Sequence, residues 1–94
     1  MLNVYLSAKF KRDYKRIQKQ GKNLNLLKTV VDTLAAEKPL EWKYHDHALS
    51  GSGDFAGYRE CHIEPDWLLI YKIEEDALLL TLMRTGSHSD LFRK

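Results

Sequence analysis

The period of the apolar residues changes along the chain, and each change marks an element. Residues 2–6 alternate around Val4 and Leu6 among strand formers and predict a short first strand. Phe10, Tyr14 and Ile17 then recur at helical spacing as the buried stripe of a helix from Ala8 to about Gln20. Ser7 stands where it would cap that helix, and Gly21 where it would end it. Leu24, Leu27, Val30, Val31 and Leu34 predict a second helix, capped by Asn23 or Asn25, running to about Glu37 and stopped by Pro39. Residues 41–57 show no period and read as loop, with a brief strand near Leu49. Three strands follow, over 55–64, 67–73 and 77–84, the second nearly all apolar, as in a strand covered on both faces. After Thr85-Gly86, residues 87–92 form about one helical turn. The expectation is a single α+β domain over residues 1–94. Its order is β-α-α-β-β-β, with two N-terminal helices packed on one face of an antiparallel sheet.

Composition adds compartment and charge. Ninety-four residues suffice for one modest core without disulfide staples. The single cysteine, Cys61, has no intramolecular partner, which fits a reducing cytoplasm. No apolar run approaches the roughly 20 residues that span a bilayer, and no secretory signal is visible at the start. The net charge of +2 conceals an asymmetry: residues 1–28 hold eight Lys and Arg against one acid, Asp13. Lys9, Lys11, Arg12, Lys15, Arg16 and Lys19 lie on the first predicted helix. They read either as a solvated face or as a surface for a polyanion.

The candidate chemistry lies in the second half, where His47, His62 and His88 are interleaved with Arg59, Glu60, Asp66 and Arg84. RNA carries its own nucleophile, the 2′-hydroxyl, so a protein that cleaves it need supply only a base, an acid and positive charge. Histidine serves as both base and acid near neutral pH. Strand alternation puts Tyr58, Glu60, His62 and Glu64 on one face, and Arg59, Cys61 and Ile63 on the face the helices cover. Two histidines flanking a phosphate would act as base and acid, with Glu60 or Asp66 orienting an imidazole and Arg59 or Arg84 clamping the phosphate. His45, in a loop with no strand partner, reads as a bystander. Trp42, Tyr44, Tyr58 and Phe92 are candidates for stacking on bases. Zinc bound by His45-x-His47, His62 and His88 with Cys61 or Asp66 is the rival chemistry, but no CxxC or HExxH spacing supports it. The expectation is no metal and no cofactor. The Ser50-Gly51-Ser52-Gly53 stretch reads as a turn, since no strand precedes it and no GK[ST] follows.

Three segments together resemble the YafQ branch of the RelE-type toxins of bacterial toxin–antitoxin systems. They are Asp46-His47-x-Leu49-x-Gly51, the run from Gly57-Tyr58-Arg59-Glu60-x-His62 through Glu64-Pro65-Asp66-Trp67 to Lys72, and Arg84-Thr85-Gly86-Ser87-His88-Ser89-Asp90-Leu91-Phe92. The likeness covers essentially the whole chain. It implies a bacterial cytoplasmic endoribonuclease that cuts mRNA on translating ribosomes and is silenced by a cognate antitoxin. His47, His62, Asp66 and His88 would be its catalytic set, and Phe92 would help position the message. Close relatives often carry aspartate where this chain has Glu60. By analogy His88 is the acid and His47 the base; His62 and Asp66 hold phosphate and bases, and Arg84 neutralises charge. The basic first helix would grip ribosomal RNA. Operator DNA would be reached only through the antitoxin, and the free toxin is expected to be a monomer. The competing functions are an RNA- or ribosome-binding module without catalysis, and a co-repressor acting with its antitoxin.

Overall fold

The computed structural model describes residues 1–49 and 55–92, so the Ser50–Gly53 turn read from the sequence lies outside the described residues. The chain runs β1 (Asn3–Leu6), α1 (Ala8–Lys19), α2 (Leu24–Ala35), a 3-10 turn (Trp42–Tyr44), β2 (His47–Ala48), β3 (Arg59–Glu64), β4 (Trp67–Glu74), a second 3-10 turn (Glu75–Ala77), β5 (Leu79–Gly86) and α3 (His88–Leu91). Local chemistry sets these boundaries. The Ser7 hydroxyl accepts from the Phe10 N–H and Asn23 from the Asn25 N–H, so each helix begins on a side-chain cap. Gly21, at φ 76°, ends α1 in the left-handed conformation that glycine enters without steric penalty.

The strands form one sheet in the order β1-β5-β4-β3-β2. From β2 to β5 each neighbour is antiparallel, as expected, but β1 joins the edge parallel to β5, with Asn3 opposite Leu79 and Leu6 opposite Leu82. The sheet is therefore mixed rather than wholly antiparallel. Ser7 makes this junction: its N–H donates to the Leu82 carbonyl at 3.1 Å and its hydroxyl to the Met83 carbonyl at 2.7 Å. One residue thus caps α1 and ties the end of β1 to β5.

β4 is covered on both faces, as its unbroken apolar run predicts. Trp67, Leu69 and Tyr71 join Phe10, Ile17, Leu27, Val30 and Leu34 from the helices in the main core. Leu68 and Ile70 point the other way, into a smaller cluster with Leu91, Leu49, Phe55, Tyr58 and Met83. That second cluster seats α3 on the face opposite α1 and α2.

The buried stripe of α1 differs from the sequence expectation. It comprises Phe10, Asp13 and Ile17, while Tyr14 stays 36% exposed. Asp13 is 2% exposed and accepts from Arg84 Nε at 2.6 Å, Arg84 Nη2 at 3.1 Å and the Thr85 N–H at 3.1 Å. Arg16 Nη2 lies 3.0 Å from the same carboxylate and donates to the Thr85 carbonyl at 3.2 Å. The Arg16 guanidinium also approaches Asp90, the residue that completes the capping box of α3. Asp13 is thus the hub through which α1, β5 and α3 are joined.

Removing a partner from a buried ion pair leaves its cation uncompensated, at a cost of several kcal/mol. We expect Asp13→Ala to lower unfolding stability by about 3 kcal/mol. Lys15→Ala, on the exposed face of the same helix, should change it by less than about 0.5 kcal/mol. Urea unfolding of the two variants checks this.

Candidate active site

Sheet register brings three of the four histidines to one end of the molecule. In the short β2–β3 pairing His47 stands directly opposite Glu60. His62 follows two residues along β3 and so shares the face of Glu60. Its cross-strand partner is Leu68, and Leu68 in turn pairs with Gly86, two residues before His88. His88 opens α3, which starts as soon as β5 ends. The turn between β3 and β4 delivers Asp66 to the same place.

The imidazoles form a row. The ring centres of His47 and His62 are 6.2 Å apart, and those of His62 and His88 are 5.7 Å apart. Glu60 lies beneath the first two, 6% exposed, with one carboxylate oxygen 3.4 Å from His47 Nε2 and 3.5 Å from His62 Nε2. One buried carboxylate oxygen thus lies within reach of both rings. The longer Glu60 side chain is therefore a support under the histidines rather than an exposed contact for RNA.

His88 has its own carboxylate. Asp66 Oδ1 accepts from the His88 backbone N–H at 3.0 Å and from ring Nδ1 at 2.7 Å. These bonds fix the ring's orientation and leave Nε2 facing outward. His47 is oriented differently: its Nδ1 donates to the His45 carbonyl at 2.7 Å, leaving Nε2 toward Glu60. Asp66 is held below the ordinary carboxylate range, first by the His88 backbone N–H and then by its ring. Phe92 flanks His88 at 6.5 Å between ring centres and meets Phe55 edge-on at 5.9 Å.

Other candidates stand elsewhere. Arg84 is engaged by Asp13 and takes no place among the histidines. Arg59 lies on the helix-covered side and donates to Asp46 from Nε at 3.3 Å and Nη2 at 3.2 Å. Tyr71 donates to the same carboxylate at 2.5 Å. These three bonds hold Asp46, and with it the flanking His45 and His47. Neither arginine is placed as a phosphate clamp. Of the basic residues on α1, Lys9, Lys11, Arg12, Lys15 and Lys19 are exposed, whereas Arg16 is turned inward to Asp13. Cys61 is fully buried with its thiol pushed up to about 12, chiefly by burial, as an inert core residue would be.

His45, read from the sequence as a loop residue with no strand partner, stands beside the row. Its ring packs edge-on against His62 at 5.7 Å, in a left-handed backbone conformation at φ 49°. The sequence carried a weak signal for this, because histidine is one of the few residues enriched in that conformation.

A family model for the bacterial toxin YafQ of type II toxin–antitoxin systems matches residues 2–93. The chain belongs to the YafQ toxin family. The mRNA interferase toxin YafQ of Escherichia coli K12 is 42% identical over 91 residues, which cover 96% of this chain and 95% of that protein. A putative YafQ toxin of Haemophilus influenzae is 36% identical over 93 residues, 94% of this chain and 89% of its own. Among solved structures, a metal-bound toxin from Helicobacter pylori superposes with a TM-score of 0.89 at 48% identity, covering 98% of this chain and all of that one. YafQ in the E. coli DinJ–YafQ complex does so at 0.86 and 41%, covering 98% of this chain and 99% of its own. Among the described residues, no group of three or more His, Cys, Asp or Glu is arranged to hold a metal ion. The Glu60 carboxylate lies near two imidazoles, and the Asp66 carboxylate is hydrogen-bonded to a third.

The Asp66 contacts yield a titration prediction. A carboxylate with a depressed pKa stabilises the fold above its unfolded value, and that contribution is lost as pH falls through the folded value. Followed by carbon NMR, Asp66 should titrate below an ordinary aspartate. In His88→Ala it should move only part of the way back, because the backbone N–H remains.

Proposed function

We propose that this protein is an mRNA endoribonuclease that acts on the translating ribosome, with His47, His62, Asp66 and His88 as its catalytic set. The observation that carries the reading is the row of three imidazoles whose outer members are oriented by different partners. Family membership and the mRNA interferase activity of the E. coli relative support the substrate class.

His47 is the base. With Nδ1–H committed to the His45 carbonyl, Nε2 carries the lone pair that takes the proton of the 2′-hydroxyl. The resulting imidazolium faces the Glu60 carboxylate. The freed 2′-oxygen bonds to phosphorus, and the P–O5′ bond breaks. His88 is the acid: Asp66 fixes its ring through Nδ1, and Nε2–H protonates the departing 5′-oxygen. His62 stands between the two, where a charged ring stabilises the phosphorane oxygens as they gain charge. The products are a 2′,3′-cyclic phosphate and a 5′-hydroxyl. No metal is required in this scheme.

The exposed lysines and Arg12 of α1 supply the attraction for ribosomal RNA, away from the histidines. An antitoxin partner follows from the E. coli DinJ–YafQ complex. It would cover the basic and catalytic surfaces with an acidic segment that folds on binding. No helix among the described residues is long and apolar enough to cross a membrane, and the proposed site of action is the bacterial cytoplasm.

His88→Ala should leave ribosome binding intact and lower cleavage of the A-site codon about 10²–10⁴-fold, the usual worth of a positioned general acid. Mapping the 3′ ends of mRNA on programmed ribosomes measures it. Wild-type protein that binds the ribosome without cutting would favour the binding-module reading.

A further inference from the structure

A groove of about 700 Å³ opens beside the histidine row and runs toward Leu26 of α2. This volume falls in the range of roughly 300–1,000 Å³ usual for small-ligand sites. Its walls include Lys43, Tyr44, His45, Ile63, Glu64 and Pro65, and His62 and His47 close its inner end. The site is therefore continuous with the proposed point of cleavage.

Ring contacts extend the histidine row on both sides of the groove wall. Trp42 meets His45 edge-on at 6.2 Å between ring centres, His45 meets His62 at 5.7 Å, and His62 meets His88 at 5.7 Å. Phe92 and Phe55 extend the row beyond His88. Phe92 lies at one end of this row, and Trp42 and His45 lie at the other.

Both residues stand in unusual settings. Trp42 is 86% exposed, leaving a large apolar ring in water with no place in either core cluster. His45 keeps a left-handed backbone, which disfavours side-chain-bearing residues. Two restraints maintain it. The His45 N–H donates to the Trp42 carbonyl at 3.0 Å, and the adjoining Asp46 is fixed by Tyr71 and Arg59. The backbone that presents His45 is thus preorganised.

We propose that this groove receives an unpaired RNA base adjacent to the cleaved phosphate, stacked on His45 and Trp42 and read at its edge by Glu64. The inference rests on the endoribonuclease reading and deepens it. Aromatic and imidazole rings at the mouth of a single-strand site suit any base, since each has a π face. The Glu64 carboxylate opposes a phosphate but accepts from the exocyclic amines of cytosine and adenine or from the N–H edge of guanine. The subsite therefore discriminates by base, on the side of the cut opposite Phe92.

The test uses mRNA-programmed ribosomes with every base permuted at and beside the cleaved codon. Wild type is compared with Trp42→Ala, Trp42→Phe, His45→Ala and Glu64→Gln. Stacking is worth about 1–3 kcal/mol per base, so Trp42→Ala should raise KM about tenfold. It should keep kcat within about twofold and flatten the preference at one nucleotide position. Trp42→Phe should restore most of the loss, and Glu64→Gln should change the favoured base at the same position. Trp42 is exposed, so these readouts do not depend on folding. Unchanged KM and preference would overturn the proposal, as would a fall in kcat with the preference intact. Weaker antitoxin binding with normal cleavage would make the surface a protein contact instead. Failure of wild type to cut at all would remove the endoribonuclease reading, and the subsite with it.

Discussion

The carboxylate of Asp13 is the interaction on which the arrangement of the molecule most depends. It is buried beneath α1, where it gathers two guanidinium groups and a backbone N–H from α1 and β5. Arg84 and Thr85 bring the end of β5 to it, and Arg16 carries the connection on to Asp90 in α3. Thr85 extends the network inward: its hydroxyl accepts from Trp67 Nε1 at 2.9 Å and donates to the Leu68 carbonyl at 2.8 Å. Gly86 belongs to the same constraint, because a Cβ there would meet Arg16 Nη2 at 2.8 Å. The point where β5 gives way to α3 is thus fixed from several sides. The first residue of α3 is His88.

Two further carboxylates repeat this logic at the histidine row, with opposite exposure. Glu60 is buried and shared between His47 and His62, while Asp66 is exposed and serves His88 alone. The buried anion lies against two rings at once, and the surface anion fixes one ring's orientation. Asp46 acts one step further out: Tyr71 and Arg59 hold it, and it holds the segment bearing His45 and His47. The histidines come from a two-residue strand, a central strand and a four-residue helix, none of which would position a side chain unaided. Their placement is inherited from the core through these acids.

Much of this was legible in the sequence. The caps at Ser7 and Asn23, the Gly21 terminator, the doubly covered β4 and the alternation that separates Glu60 and His62 from Cys61 and Ile63 all follow from local chemistry. The illegible parts depend on tertiary partners. Asp13, the lone acid among eight cations, reads as a solvated residue until Arg84 arrives from far along the chain. Arg16, by the same token, reads as part of the basic surface. Alternation did not foretell where the Arg84 guanidinium settles, because the β4–β5 register shifts between Ile70 and Tyr71. The parallel seat of β1 is a choice of sheet edge, which period alone does not encode. Histidine composition pointed to the site, but the division of labour among Glu60, Asp66 and Asp46 required the fold. The place of His45 beside His62 was hidden because it comes from a backbone conformation rather than from a strand.

The central claim is that this site cleaves RNA with the substrate's own 2′-hydroxyl, through imidazoles poised by acids. The chemistry of the cut ends tests it most directly. Message cleaved by the wild-type protein on programmed ribosomes should carry a 2′,3′-cyclic phosphate, or the 3′-phosphate it decays to, and a 5′-hydroxyl. A single 2′-deoxy substitution at the cut nucleotide should abolish cleavage. A 3′-hydroxyl with a 5′-phosphate, insensitive to that substitution, would mean that water is the nucleophile and would contradict the account.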